Sequence, residues 1–289
     1  MKNVLGTFVR LGGFAAIFVA LLAGAALLAG GAVERMSVQG VMTLLAALGA
    51  SILGLRYDGR RPLRDLWLDR AGALSGSGGG FLLGIVIMVP ILVLAVAAGG
   101  LRYGSDQGTV LQYLSVAAWT VVVLLGPAAA EELLFRGYPM RVLMERWGAA
   151  AALALTTIAF AILHGSNPHV GPLALVNIAL AGLLLGMILL VTGSLWWAIG
   201  LHLGWNFATT FLADLPVSGL TIVDAPLVEV TAPGNPLITG GEFGLEGGLA
   251  ATAGLLAAVG FLAARARSGA ELGAGGFVHG LPARDGKES

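Results

Sequence analysis

The sequence predicts an all-α polytopic membrane bundle of about eight transmembrane helices with both termini in the cytoplasm. Three observations predict it. Apolar runs near or above the roughly 20-residue spanning length recur from end to end. Only 11% of the 289 residues are charged against 57% hydrophobic, and mean hydropathy is +0.89, where soluble domains carry roughly 25% charge. Loops rich in arginine alternate with loops poor in it, as the positive-inside rule requires. Net charge is zero, so nothing draws the chain electrostatically to nucleic acid. It has no cysteine, which excludes disulfides, thiolate metal ligands and a cysteine nucleophile.

Taken in order, the first span covers about Phe8 to Gly30, with Lys2 and Arg10 at its start. Its apolar stretch exceeds the roughly 7–15 residues of a signal peptide, so it reads as a retained helix. Glu34 and Arg35 mark an outer turn before the second span, about Val38 to Leu55. The loop that follows carries Arg56, Arg60, Arg61, Arg64 and Arg70 and belongs in the cytoplasm. Gly76 to Gly80 reads as a flexible lead-in to the third span, Phe81 to Ala98. No Gly-Lys-Ser/Thr follows it, so it is not a phosphate loop. Leu101 to Gly108 is an outer loop.

The fourth helix starts near Val110 and ends at a basic, inner turn around Arg146 and Gly148. The fifth covers Ala149 to Leu163, closing at His164 and Gly165-Ser166-Asn167-Pro168. The sixth is Leu173 to Val191, and Thr192-Gly193-Ser194 makes a tight inner turn. The seventh is Leu195 to Leu212. Asp214 to Glu246 is a Pro/Gly-rich outer loop without Lys or Arg, and Leu249 to Ala264 is the eighth span. Residues 1–265 therefore form one membrane domain. Residues 266–289 read as a disordered cytoplasmic tail.

Three places are polar where hydrocarbon-compatible sequence is expected: Glu131, Glu132 and Arg136; His164; and His202 with Asn206. A charge near the bilayer centre costs at least ~2.5–3.5 kcal/mol, so these groups face a bundle interior or a wet cavity. Glu132 and Arg136 are four apart and share a helical face. Glu131 points about 100° away and is left free. Glu131 precedes Gly148 by 17 residues and His164 follows it by 16, so two antiparallel arms bring them to one depth, about 25 Å from the turn. His202 lies only ~13 Å from its own turn at Gly193. Its depth matches only if the turn around Arg146 projects further into the cytoplasm. A glutamate in a low-dielectric pocket suits a general base. A neighbouring histidine can orient water or bind a metal, and His and Asn N–H groups can hold an oxyanion.

Glu131-Glu132-Leu133-Leu134-Phe135-Arg136, Phe160-Ala161-Ile162-Leu163-His164 and His202-Leu203-Gly204-Trp205-Asn206 together resemble the motifs of the CPBP family. That family comprises the CaaX-type intramembrane proteases and the bacteriocin-processing or immunity proteins, also called Abi. The motifs are Glu-Glu-x-x-x-Arg, Phe-x-x-x-His and His-x-x-x-Asn/Asp, present in order over about Thr109 to Phe211. The resemblance implies an eight-helix endopeptidase. Glu131 would activate water with His164 assisting, His202 and Asn206 would form the oxyanion hole, and Glu132 and Arg136 would position the rest. If a Zn²⁺ site exists, the resemblance makes Glu131, His164 and His202 its ligands, although there is no His-Glu-x-x-His. The expected partners are membrane lipid and a peptide or lipid-adjacent protein substrate. The Ala/Gly/Arg-rich composition points to a bacterial plasma membrane, where a prenylated substrate does not follow. The alternatives are a non-proteolytic scaffold or bacteriocin-immunity partner on the same fold, and a proton-coupled transporter.

Overall fold

The structure, a computed structural model, describes residues 4–271. Among them are eight helices of thirteen residues or more: α1 (Val4–Ala29), α2 (Met36–Tyr57), α3 (Ala73–Ala97), α4 (Val110–Glu132), α5 (Tyr138–Leu163), α6 (Pro172–Thr192), α7 (Leu195–Phe207) and α9 (Leu249–Glu271). A four-residue helix, α8 (Pro236–Thr239), precedes the last. Six segments among the described residues are long and apolar enough to cross a membrane. One of them, Val110–Ser166, folds back on itself at Gly148, whose φ of 83° breaks α5. The chain is an all-α polytopic membrane bundle.

The ends of the bundle sort as the charge pattern of the loops requires. At one end Arg10 of α1 meets Asp58, after α2, and Glu145, before the turn at Gly148. The carbonyl of Trp67 accepts the amide of Leu195, just past the turn at Gly193. At the other end β1 (Arg102–Ser105) pairs antiparallel with β2 (Val228–Thr231), Arg102 opposite Thr231 and Ser105 opposite Val228. His169 there faces Glu242 at 3.0 Å. Segments read as inner from their arginines thus meet one another, and segments read as outer do the same.

The glycine run read as a flexible lead-in is instead the first part of α3 and its contact with α7. A Cβ on Gly80 would sit 2.4 Å from the carbonyl oxygen of Trp197, and one on Gly84 2.4 Å from that of Leu201. From the other side, a Cβ on Gly200 would meet the Ser77 carbonyl at 2.3 Å, and one on Gly204 that of Phe81 at 2.0 Å. Lipid tails are as apolar as leucine, so helices in a bilayer associate by close backbone approach at small residues. The same device joins α2 to α4, where Gly40 lies against Pro127 and Gly126. Glycine therefore fixes where α7, and with it His202 and Asn206, stands in the bundle.

The outer loop Asp214 to Glu246 contributes β2 and α8, and its last residue is buried. The start of the tail needs correction. Helix α9 continues to Glu271, into the segment read as a tail, while residues 272–289 lie outside the described residues.

Candidate active site

The α4 helix runs into a π-helical turn, Leu133–Gly137, before α5 begins. Such turns are rare and concentrate at functional sites. Glu132 immediately precedes it and Arg136 lies within it, and both are fully buried. Arg136 donates to Glu132 Oε1 at 2.9 Å and, through its other terminal nitrogen, to the carbonyl of Gly182 on α6 at 2.8 Å. The lack of a side chain at Gly182 permits this approach, since a Cβ there would lie 3.2 Å from the guanidinium. Phe160, one arm over, covers the guanidinium with its ring at 4.4 Å. Arg136 precedes Gly148 by as many residues as Phe160 follows it, which is why the hairpin stacks them. The pairing and positioning role expected of Glu132 and Arg136 has a concrete geometry here.

Glu132 Oε1 also accepts Nδ1 of His202 at 2.9 Å. A carboxylate that already accepts from a guanidinium takes this nitrogen as a donor, so Nδ1 carries the proton and Nε2 is turned the other way. His164 is fixed in the same sense: its Nδ1 donates to the Phe160 carbonyl at 2.8 Å. The Nε2 atoms of both rings approach one oxygen, Glu131 Oε2, from His164 at 3.6 Å and from His202 at 3.8 Å. That oxygen is buried and takes no hydrogen bond from the protein, although the Glu131 side chain as a whole is 27% exposed.

The rise of each arm from its turn differs by roughly 12 Å between Glu131 and His202. Their side chains meet nonetheless, so the 110–163 hairpin extends further past the site at its inner end than the 172–207 hairpin does.

Two cavities meet at this oxygen's surroundings. One, of about 190 Å³, is lined by Glu131, His164, His202 and Asn206 together with Met36, Pro127 and Ser218. Water needs roughly 10–15 Å³ of such space, so the cleft admits several molecules. The second reaches from His164, His202 and Asn206 between apolar walls that include Ile178, Leu184, Leu185 and Leu255. Asn206 is partly buried and borders both. All four residues expected to do chemistry therefore share one cleft.

The zinc reading fares differently. Around tetrahedral zinc with ligand bonds of ~2.0–2.1 Å, neighbouring donors stand roughly 3.4 Å apart. The two separations from Glu131 are wider, and no three His, Asp or Glu side chains among the described residues are arranged to hold a metal ion. As placed, Glu131, His164 and His202 do not fit a metal.

Sequence reasoning missed Glu246. Its carboxylate is buried and accepts the Trp205 indole N–H at 2.6 Å, and the Ser218 amide and hydroxyl at 2.7 Å each. Asn167, three residues after His164, donates to the Ser218 carbonyl at 3.0 Å. Asn177 donates to the Glu246 carbonyl at 2.7 Å and receives a bond from Thr252. Glu246 thus ties α6, α7, α9 and the loop that bounds both cavities. The one available signal was its place at the lip of an apolar run, Leu245 before it and Leu249 after.

Fold and site together define a class: a polytopic helical membrane protein with a carboxylate–histidine cluster in its interior. Residues 113–208 match the family model described as Rce1-like, type II CAAX prenyl endopeptidase Rce1-like, a match consistent with the CPBP family. It begins within α4 and ends just past α7, enclosing all three motifs. No curated protein matches the chain. The match supports a protease, that is a peptide hydrolase, integral to a membrane.

Proposed function

We propose that this chain is an intramembrane endopeptidase that hydrolyses a peptide bond through water activated by Glu131. The observation that carries the reading is the buried Glu131 Oε2, free of protein hydrogen bonds and faced by Nε2 of two histidines. Glu131 takes a proton from a water in the cleft, and the resulting hydroxide attacks the peptide carbonyl carbon. His164, held by the Phe160 carbonyl, orients that water with its Nε2 lone pair. The oxyanion is held by the Asn206 amide and by His202, which donates through Nε2 as an imidazolium. Before attack two carboxylates, Glu131 and Glu132, face two cations, Arg136 and His202, and the buried cluster is neutral; after it Glu131 is protonated, its negative charge has passed to the oxyanion, and the sum is unchanged. Protonated Glu131 then returns its proton to the leaving amine as the C–N bond breaks. Preorganised donors of this kind are each worth ~10²–10³ in rate.

The apolar walls beside Asn206 favour a hydrophobic or lipid-adjacent peptide. The family description names CAAX prenyl endopeptidases, so lipidated and unlipidated hydrophobic peptides are the substrates to compare. The test is cleavage in proteoliposomes, followed by mass spectrometry, for wild type and Glu131→Ala. Cleavage by wild type alone supports the reading. Full cleavage by the variant overturns it, and protection or partner binding that survives Glu131→Ala would support a non-proteolytic scaffold instead.

A further inference from the structure

At the inner end of α2, away from the catalytic cleft, lies a recess of about 610 Å³ lined by Ile52, Leu55, Arg56, Arg60, Arg61 and Leu63. That is inside the roughly 300–1,000 Å³ range of ligand clefts. Three guanidinium groups and three aliphatic side chains make it, with no acid among them. We propose that this recess binds an anionic phospholipid, its phosphate between the arginines and the first methylenes of its chains on Ile52 and Leu63.

The surrounding charges make the case specific. Of the acids at this end, Asp58, Glu145 and Asp65 pair with arginines, and Asp69 accepts the Ala71 amide at 3.1 Å. Asp58 takes Arg10 and Arg141, at 3.1 Å for the latter. Glu145 takes Arg10 at 2.7 Å, Arg141 at 2.5 Å and Arg61 at 3.4 Å. Asp65 faces Arg61 at 3.6 Å. Arg56 and Arg60 are exposed and have no ion pair or side-chain hydrogen bond among the described residues. Two unneutralised guanidinium groups beside an apolar floor, at the depth where a spanning helix ends, match a phosphodiester attached to hydrocarbon. Arginine binds phosphate through paired N–H groups.

The backbone adds an independent observation. The α2 helix ends with Gly59 at φ 97° and Arg60 at φ 60°, closed by the Arg61 amide on the Leu55 carbonyl at 3.0 Å. The left-handed conformation at a helix end is ordinarily filled by glycine or asparagine, and a long side chain there is disfavoured. An arginine in this place gives up local stability, and its charged head lines the recess.

This separates folding from binding. Arg60→Asn relieves the left-handed strain, so the variant is expected to melt no lower than wild type. Purified protein in dodecyl maltoside is titrated with dihexanoyl phosphatidylglycerol, dihexanoyl phosphatidylcholine or inorganic phosphate, and thermal unfolding is followed. Wild type is expected to gain a saturable stabilisation from phosphatidylglycerol and none from the other two. Arg56→Ala/Arg60→Asn is expected to weaken that response roughly 30-fold, each arginine near an anionic surface contributing about a factor of five. An equal response in wild type and double variant overturns the proposal. So does a response to inorganic phosphate as large as to phosphatidylglycerol, which would make the recess a plain anion site.

Discussion

Among the described residues stand a half-buried ionic cluster at the inner end of the bundle and a more deeply buried one in its interior, and the contrast between them separates architecture from chemistry. At the inner end, Arg10, Asp58, Arg141 and Glu145 join α1, α2 and α5. Each paired carboxylate oxygen there meets at least one guanidinium nitrogen, and Arg141 is 1% exposed. At membrane depth, Glu131, Glu132, Arg136 and His202 make a cluster of similar size, but it retains three buried atoms without protein partners: Glu131 Oε2, Glu132 Oε2 and Arg136 Nε. Buried polar groups are ordinarily satisfied, and each exception calls for a reason. The inner cluster is a staple. The membrane cluster holds one carboxylate rigid through Glu132 and leaves the other available to a reactant.

The sharpest way to break this comparison is at the two adjacent glutamates. Glu131→Gln is expected to lower cleavage by about 10²–10⁴-fold, the range for a lost general base, with unchanged insertion and melting temperature. A variant that cleaves at the wild-type rate, or that unfolds, would show that Glu131 is merely another staple. Glu132→Ala leaves Arg136 without its paired carboxylate and His202 with only Glu131, 3.8 Å from its Nε2. It is expected to cost about 3–5 kcal/mol, as removing one partner of a buried pair does, and to abolish activity. Unfolding in mild detergent measures it, and a loss below about 1 kcal/mol would contradict a positioning role.

Smaller effects sharpen the contrast. Arg141→Ala is expected to destabilise by about 1.5–3 kcal/mol, the scale of hydrogen bonds to charged groups, because Asp58 and Glu145 keep Arg10. Its cleavage rate per folded molecule should match wild type, whereas a large fall in rate would tie the inner cluster to catalysis. Gly204→Ala puts a Cβ 2.0 Å from the Phe81 carbonyl and is expected to cost roughly 1–3 kcal/mol as overpacking. It should also lower the rate, because α7 carries both His202 and Asn206. The smallest effect is expected from Glu246→Gln, whose amide can accept on only one side. It should raise KM about 5–10-fold, or ~1–1.4 kcal/mol, the scale of one ordinary hydrogen bond because the amide keeps an acceptor oxygen, and leave kcat within about twofold. A kcat loss with unchanged KM would move Glu246 into the catalytic machinery.

Much of the site was legible in the sequence because the bilayer makes polarity conspicuous. Glu131, Glu132, Arg136, His164, His202 and Asn206 interrupt apolar runs, and residue counts from Gly148 place Glu131 beside His164. Glu246 was illegible for the opposite reason: an acid in a Pro/Gly-rich loop looks solvated, and nothing local reports that the loop folds back onto Trp205 and Ser218. The glycines of α3 misled in the same way, since a glycine run is equally a hinge or a surface for another backbone.

By itself the sequence determined that the chain is a helical membrane bundle, how its loops divide between two ends, and which ionisable groups lie at membrane depth. Hydropathy and arginine placement are local quantities that the bilayer reads directly. Only the tertiary structure decided that Glu132 Oε1 is shared by Arg136 and His202 while Glu131 Oε2 takes no protein hydrogen bond, that both histidine Nε2 atoms stand 3.6–3.8 Å from Glu131, and that glycine contacts set α7 in place. Each of these depends on distances of a few tenths of an ångström between segments remote in the chain, and no spacing along one helix encodes them.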